Sequence, residues 1–350
     1  MFPPRLDSET LKRPARHAVR LIARSRLEQL VKTAVRLEVH PAPVAASDSS
    51  GPPVPALDDP EAVHDFRVSC RRLRSWLRAF RPFLEDTVDR RVERRLSRLS
   101  DQAGRARDLE VQLVWLTGPA PGRSGRARAA ALRLADRVAP ELAAARQALG
   151  AAITGRLPEV AATLALQLRQ VHPDLELRDR GPGMAVAVAE ALREFLEVIP
   201  NSLDKVRRLT DIEEAHSARI AVKRLRYLLE AFGGASRTAS GAVRRLAVLQ
   251  ERLGELHDAQ LLERSVSREF PRTARSWVRR LRTAGGRGAT GRSVERTEAD
   301  ALRARLRART RAAFRRAERA IRSQATARCF GRVAALAGVL ERRPMRRALR

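Results

Sequence analysis

The sequence predicts an all-α protein built from two pseudo-symmetric helical-bundle halves that arose by internal duplication. Three observations carry this expectation. Apolar residues recur three and four apart through long segments, no run of alternating β-branched residues appears, and two linked motifs occur twice in the same order about 150 residues apart. The halves are expected at 14–170 and 184–341, joined into one domain over 14–341.

The first series of helices is expected at 14–39, 60–81, 86–102, 107–117, 125–149 and 154–170. The stretch "VHPAPVAASDSSGPPVPALDDP" at 39–60 is too rich in Pro, Ser and Gly to continue a helix, and "GPAPGRSG" at 118–125 punctuates the chain again. After "VHPDLELRDRGPG" at 171–183, the second series follows at 184–199, 211–232, 239–253, 256–282, 293–323 and 325–341, with a loop at 285–293, "GGRGATGRS". The segments 40–59 and 171–183 are therefore expected to be linkers, and 342–350 a basic tail. The breaks between 102 and 107 and between 253 and 256 fall at Gly104 and Gly254.

The duplication rests on ungapped alignment. "DPEAVHDFRVSCRRLRSWLRAF" at 59–80 matches "DIEEAHSARIAVKRLRYLLEAF" at 211–232, setting His64 against His216. Downstream, "LSRLSDQAGRARDLEVQL" at 96–113 matches "LAVLQERLGELHDAQLLE" at 246–263, setting Gly104 against Gly254 and Asp108 against Asp258. A period this long is not that of a solenoid, and two halves packed about a pseudo-twofold axis is the natural reading.

Charge narrows the function classes. The 350 residues, 44% hydrophobic, suffice for a buried core, while 70 basic residues against 40 acidic ones give a net charge of +30. Such an excess repels itself in the compact state and signals a polyanionic partner: nucleic acid, an anionic membrane or polyphosphate. With only Cys70 and Cys329, the chain has neither a disulfide framework nor a four-cysteine zinc site, which fits a reducing cytoplasm. The N-terminal segment lacks the apolar core of a signal peptide, and no stretch approaches the ~20 uncharged apolar residues of a membrane span.

The repeated basic helix locates the charge. At about 100° per residue, Arg67, Arg71, Arg74 and Arg78 fall in one sector beside His64, while Phe66, Cys70, Leu73, Trp76, Leu77 and Phe80 occupy the opposite side. In the second copy His216, Arg219, Lys223 and Arg226 line one stripe, opposite Ala218, Val222, Leu225, Leu228, Leu229 and Phe232. Only Glu230, aligned with Arg78, reverses sign. Like charges four apart each destabilise an isolated helix by about 0.2–0.5 kcal/mol, so the stripe is expected to meet an anion rather than solvent. "RRVERRLSR" adds Arg91, Arg95 and Arg98 at spacings of four and three, and Arg94 and Arg95 align with Arg244 and Arg245. Arginine's planar fork grips phosphate oxygens in pairs, which suits close phosphate contact. Arg72 and Arg224 lie on the other flank, where packing or a salt bridge competes with ligand contact.

These motifs resemble those of a known family, the CHAD domain, a conserved-histidine α-helical domain of polyphosphate-associated proteins. The likeness lies in a His-x-x-Arg-x-x-x-Arg/Lys-Arg-Leu-Arg pattern occurring twice, each time followed by Gly-x-x-x-Asp in "GRARD" or "GELHD", and it spans about 14–341. The resemblance implies a pair of helical bundles with a basic central groove or channel that binds inorganic polyphosphate. On that basis His64 and His216 are read as contacting phosphate or orienting the channel, against the alternative of helix-start histidines bonded to a carboxylate or carbonyl. Some relatives carry a fused triphosphate-tunnel catalytic domain; the chain is expected to leave no segment for one. One departure is Arg107, which stands where the second half has His257.

The remaining residues have plainer readings. Asp108 and Asp258 precede apolar runs and are read as helix caps, with positioning of a stripe arginine as the alternative. The six histidines are scattered without the i, i+4 spacing of a zinc helix, so no metal site is expected. No Gly-rich phosphate loop, nucleophile triad or paired-carboxylate signature stands out, so neither a cofactor nor catalysis is expected. Cys70, Trp76 and Trp115 read as core. The leading function is non-catalytic binding of polyphosphate or another phosphate polyanion, in the cytoplasm or on polyphosphate granules. Nucleic acid is the second choice, because aromatic content of only 4% argues against base stacking. A structural protein of storage granules and a polyphosphate-cleaving enzyme are further alternatives, and the sequence sets no oligomeric state.

Overall fold

The computed structural model describes residues 5–38, 60–122, 124–169, 181–283 and 289–343, giving only the backbone for residues 38, 60 and 268–296. The described residues are almost wholly helical: α1 (Ser8–Lys12), α2 (Ala15–Glu38), α3 (Pro60–Ala79), α4 (Arg90–Thr117), α5 (Arg126–Gly155), α6 (Leu157–Arg169), α7 (Met184–Asp204), α8 (Ile212–Glu230), α9 (Arg237–Thr283), α10 (Ala289–Ile321) and α11 (Gln324–Glu341). The linkers expected at 40–59 and over most of 171–183, and the tail beyond 343, lie outside the described residues. None of the described helices is long and apolar enough to cross a membrane.

Two expected breaks are absent. The helices predicted at 86–102 and 107–117 are one helix, α4, and those predicted at 239–253 and 256–282 are one helix, α9. Glycine inside a helix costs about 0.5–1 kcal/mol relative to alanine, a penalty that burial of both faces readily exceeds. Here Leu99, Ala103 and Ala106 flank Gly104, and Leu249, Leu253 and Leu256 flank Gly254, all buried. The capping reading of Asp108 and Asp258 falls with the breaks, since both lie inside continuous helices. Genuine caps sit elsewhere: Asp89 accepts from the Arg91 amide at 2.7 Å to start α4, and Ser323 accepts from Thr326 at 3.3 Å to start α11. The loop expected at 285–293 is helical from Ala289 onward.

Each helix of the first series packs on its neighbours, α2 on α3, α3 on α4 and α4 on α5, and the second series repeats this with α7 on α8, α8 on α9 and α9 on α10. Between the series α3 packs on α8 and α4 on α9, the helices that carry the aligned motifs, and α2 contacts α7 and α5 contacts α10. At the starts of α2 and α7 the chains exchange backbone hydrogen bonds, Ala15 N to the Pro182 carbonyl at 3.0 Å and Met184 N to the Arg13 carbonyl at 2.8 Å.

The apolar faces read from the sequence are buried. Phe66, Cys70, Leu73, Trp76, Leu77 and Phe80 of α3 lie in a core that continues through Val222, Leu225, Leu228 and Phe232 of the second series. The Trp76 indole N–H donates to the Val19 carbonyl at 3.0 Å, and burial pushes the Cys70 thiol up to about 11. A second apolar cluster joins Leu109 and Leu116 of α4, Ala127 to Leu142 of α5, Leu262 and Val266 of α9, and Leu302 and Leu306 of α10. Beside these clusters, α3, α4, α8 and α9 bring together a layer of charged side chains.

Candidate functional site

That layer opens into a cavity of about 910 Å³ lined by α3, the turn after it, α4, α8 and α9. Nine arginines and Lys223 line it, with His216 and His257, against only three carboxylates, Glu93, Asp101 and Asp108. Two of the acids are engaged, Glu93 by Arg81 and Asp101 by Arg74 at 4.0 Å. Among the described residues no carboxylate lies within 4.0 Å of Arg71, Arg78, Arg90, Arg94, Arg105, Arg219, Arg224 or Lys223.

The helical period explains which candidates meet here. Arg71, Arg74 and Arg78 of α3 line the cavity, as do Arg94 of α4 and His216, Arg219, Lys223 and Arg224 of α8. Arg91, Arg95 and Arg98 do not line the cavity: they are exposed on the flank of α4 turned away from Ser97, Asp101 and Asp108, and Arg95 pairs there with Glu159 of α6. Arg244 is exposed, and Arg245 is bonded to Ser323 and Thr326 at the start of α11. His64 is exposed outside the cavity lining, with its Nδ1 3.4 Å from Arg67 Nη2. Arg72 and Arg226 both clasp Glu230, at 2.8 and 3.2 Å, over the ring of buried Tyr227.

The two copies of the motif therefore present unlike faces. Where the first copy has Ser75, Arg78 and Arg105 lining the cavity, the aligned residues are Tyr227, Glu230 and Glu255. Tyr227 fills space, Glu230 neutralises Arg72 and Arg226, and Glu255 pairs with Arg252 at 2.7 Å and Arg316 at 2.9 Å. Arg78 and Arg105 are exposed members of the cavity lining, whereas Glu230 and Glu255 are spent on arginines of their own neighbourhood. Those three aligned differences were visible in the sequence and are the signal that separates the two faces.

The cavity also gathers residues that the stripe did not select: Arg81, Arg90, Arg105 and His257. The rings of His216 and His257 lie 4.8 Å apart. Both imidazoles are held below their ordinary range by burial and by Arg219, His257 to about 3, so both are uncharged at neutral pH. Gly104 and Gly254 bring the helix backbone close to this layer: a Cβ on Gly104 would lie 4.0 Å from Arg71 Nη2, and one on Gly254 would lie 3.7 Å from Arg219 Nε. Asp108 and Asp258 approach each other across α4 and α9; burial raises both carboxyls, and for Asp108 the neighbouring Asp258 adds to it, while Arg219 and Arg67 pull both down. Neither carboxylate is within ion-pair distance of an arginine among the described residues, so each acts on the guanidinium groups through its field alone.

Lys223 is the most perturbed cation of the site. Burial, and then the guanidiniums of Arg71, Arg219, Arg67 and Arg224, press its ammonium down to about 6. It has neither a hydrogen-bond nor an ion-pair partner among the described residues. An amine in that setting is mostly uncharged at neutral pH, and a polyanion that offsets the whole surrounding guanidinium field draws it back toward its charged form. Among the described residues no group of three His, Cys, Asp or Glu is placed to hold a metal ion.

Comparison with known proteins places the fold. A family model described as the CHAD domain matches residues 52–267. The crystal structure of the CHAD domain from the plant Ricinus communis is similar, with 26% identity and a TM-score of 0.56 over 88% of this chain and 95% of that one. PptA from Streptomyces chartreusis shares the fold, with 18% identity and a TM-score of 0.53 over 91% of this chain and 99% of that one. No curated protein matches the chain. The matched residues contain all four motif copies and more than half of the sequence, and the chain belongs to the CHAD domain family.

Proposed function

We propose that the protein binds inorganic polyphosphate, without catalysing its turnover, and that the arginine-lined cavity is the binding site. The observation that carries this reading is the imbalance of the lining: nine arginines and Lys223 against three carboxylates, two of them already engaged. Unpaired guanidiniums packed side by side repel one another, and a linear chain with one negative charge per phosphate relieves that repulsion through charge-assisted, paired hydrogen bonds. The CHAD family is linked in general to polyphosphate binding, which supports the same choice of ligand. The contacts of α3 with α8 and α4 with α9, and the exchanged backbone bonds at Arg13, Ala15, Pro182 and Met184, support an internal duplication, with halves at 14–170 and 184–341. Because the counterparts of Ser75, Arg78 and Arg105 are Tyr227, Glu230 and Glu255, one strand is held per molecule. Binding of this kind would hold the protein on polyphosphate granules.

The test compares long-chain polyphosphate with single- and double-stranded DNA at matched phosphate concentration in about 150 mM salt. The variant Arg78→Glu/Arg105→Glu gives the open face the charges of its counterpart, and Arg311→Glu/Arg315→Glu makes the same charge change on exposed positions of α10. The reading expects polyphosphate to bind more tightly than DNA, and only the first variant to abolish the preference. Equal or tighter DNA binding, or equal losses in both variants, would replace it with a nucleic-acid-binding surface outside the cavity.

A further inference from the structure

The amine of Lys223 combines two properties that seldom coincide. It lines a cavity whose other cations can hold phosphate, and it lacks a partner of its own among the described residues. Arg71 of α3 and Arg219 and Arg224 of its own helix surround it, and no carboxylate lies within 4.0 Å among the described residues. An uncharged amine beside an anion-holding cluster is a nucleophile with a built-in seat for a phosphate leaving group.

We propose that Lys223 is an acylation site, modified by acyl phosphates that dock their phosphate on Arg71, Arg219 and Arg224 and present the carbonyl carbon to the amine. The nitrogen lone pair forms the new bond to that carbon, and the bond from carbon to the phosphate oxygen breaks. Inorganic phosphate leaves into the same arginine cluster, and the proton lost from the nitrogen goes to the phosphate. The product is an amide at Lys223 and one phosphate, with nothing oxidised or reduced. The inference shares with the polyphosphate reading the premise that the cavity holds phosphate, but it needs no polymer. Its consequence for that reading is direct: an amide cannot take up the proton that a bound polyanion would draw to the amine, so acylation weakens the site.

The chain makes the test clean, because its only lysines are Lys12, Lys32, Lys205 and Lys223. Lys32 and Lys205 are exposed, and Lys12 is paired with Glu9 at 3.2 Å. With its ammonium pressed down to about 6, Lys223 holds about three thousandfold more free amine at pH 7 than an ordinary lysine, and its lower basicity returns part of that gain. We expect acetyl phosphate to acetylate Lys223 in the full chain about tenfold or more faster than Lys32 or Lys205, read by mass spectrometry of the four sites. N-acetoxysuccinimide, an acetyl donor without phosphate, should show a smaller preference, and Arg71→Gln/Arg219→Gln should slow acetylation by acetyl phosphate.

Labelling of Lys223 no faster than of Lys32 and Lys205, or a preference equal for the two donors, would overturn the proposal. Adding long-chain polyphosphate separates this inference from the binding reading. Protection of Lys223 supports both. Selective labelling that polyphosphate does not block keeps the acylation site and removes the polymer from the cavity. Polyphosphate binding without selective labelling removes the acylation site alone.

Discussion

Lowering the pH from 8 to 6 should tighten polyphosphate binding, and Lys223 sets the size of the effect. In the free protein its ammonium is pressed down to about 6, so the amine is largely uncharged at pH 7. The groups around it are Arg67 and Arg71 from α3, Asp108 from α4, His216, Arg219 and Arg224 from its own helix, and His257 from α9. A polyanion in the cavity offsets the guanidinium field and draws the amine back toward its ordinary 10.5, so binding takes up a proton throughout the window above pH 6. Full restoration would strengthen affinity by about tenfold per pH unit well above 6 and about fifty-fold between pH 8 and 6, an upper bound. Titration calorimetry in buffers of different ionisation enthalpy measures this uptake directly, approaching one proton at pH 7.5. Lys223→Met should bind more weakly at pH 6 and lose most of the pH slope.

The same variant checks the sign on the folding side. A lysine depressed in the folded chain makes the unfolded chain hold more protons between about pH 6 and 10.5, so stability rises with pH across that window and the burden is largest at its acid end. Replacing Lys223 by methionine should therefore raise the melting temperature at pH 6 to 7. A flat pH profile in the wild-type protein, the same slope in Lys223→Met, or a lower melting temperature of that variant would refute the reasoning.

Three further outcomes follow from other parts of the structure. Glu230→Gln leaves Arg72 and Arg226 without their shared carboxylate beside Arg26, whose guanidinium burial already presses down to about 10; we expect a loss of about 1–3 kcal/mol in urea unfolding, with the cavity intact. Gly104→Ala adds a Cβ no closer than 4.0 Å to Arg71 and should stabilise α4 by about 0.5–1 kcal/mol; unfolding at lower denaturant would show that the backbone there is not free to carry a side chain. If about eight phosphates are neutralised and the single-strand coefficient of about 0.7 per phosphate applies, polyphosphate affinity should fall about a thousandfold between 50 and 200 mM salt, and a much shallower slope would mean that few arginines touch the chain.

The repeat and the helical period were legible along the chain because each is local. Phe66, Cys70, Leu73, Leu77 and Phe80 are buried where a period of 3.6 places them, and Arg71, Arg74 and Arg78 emerge on the opposite face. Gly104 and Gly254 misled for a physical reason: glycine weakens an isolated helix, but tertiary packing on both sides restores it, and the sequence carries no direct mark of that packing. Asp108 and Asp258, read as caps, lie half-buried inside α4 and α9, which run through unbroken, within the field of the nearby arginines.

Sequence by itself determined that this protein is helical, duplicated in pattern and heavily basic along one stripe, because periodicity and charge are properties of neighbouring residues. It did not decide which of those charges remain unpaired. Arg91, Arg95 and Arg98 share a face as regular as that of Arg71, Arg74 and Arg78, yet only the latter three line the cavity. Arg226 occupies the same place in its motif as Arg74, yet it is clasped by Glu230 together with Arg72. Whether an arginine meets a carboxylate, a packed helix or open space depends on residues far away in the chain that only the fold brings within a few ångströms.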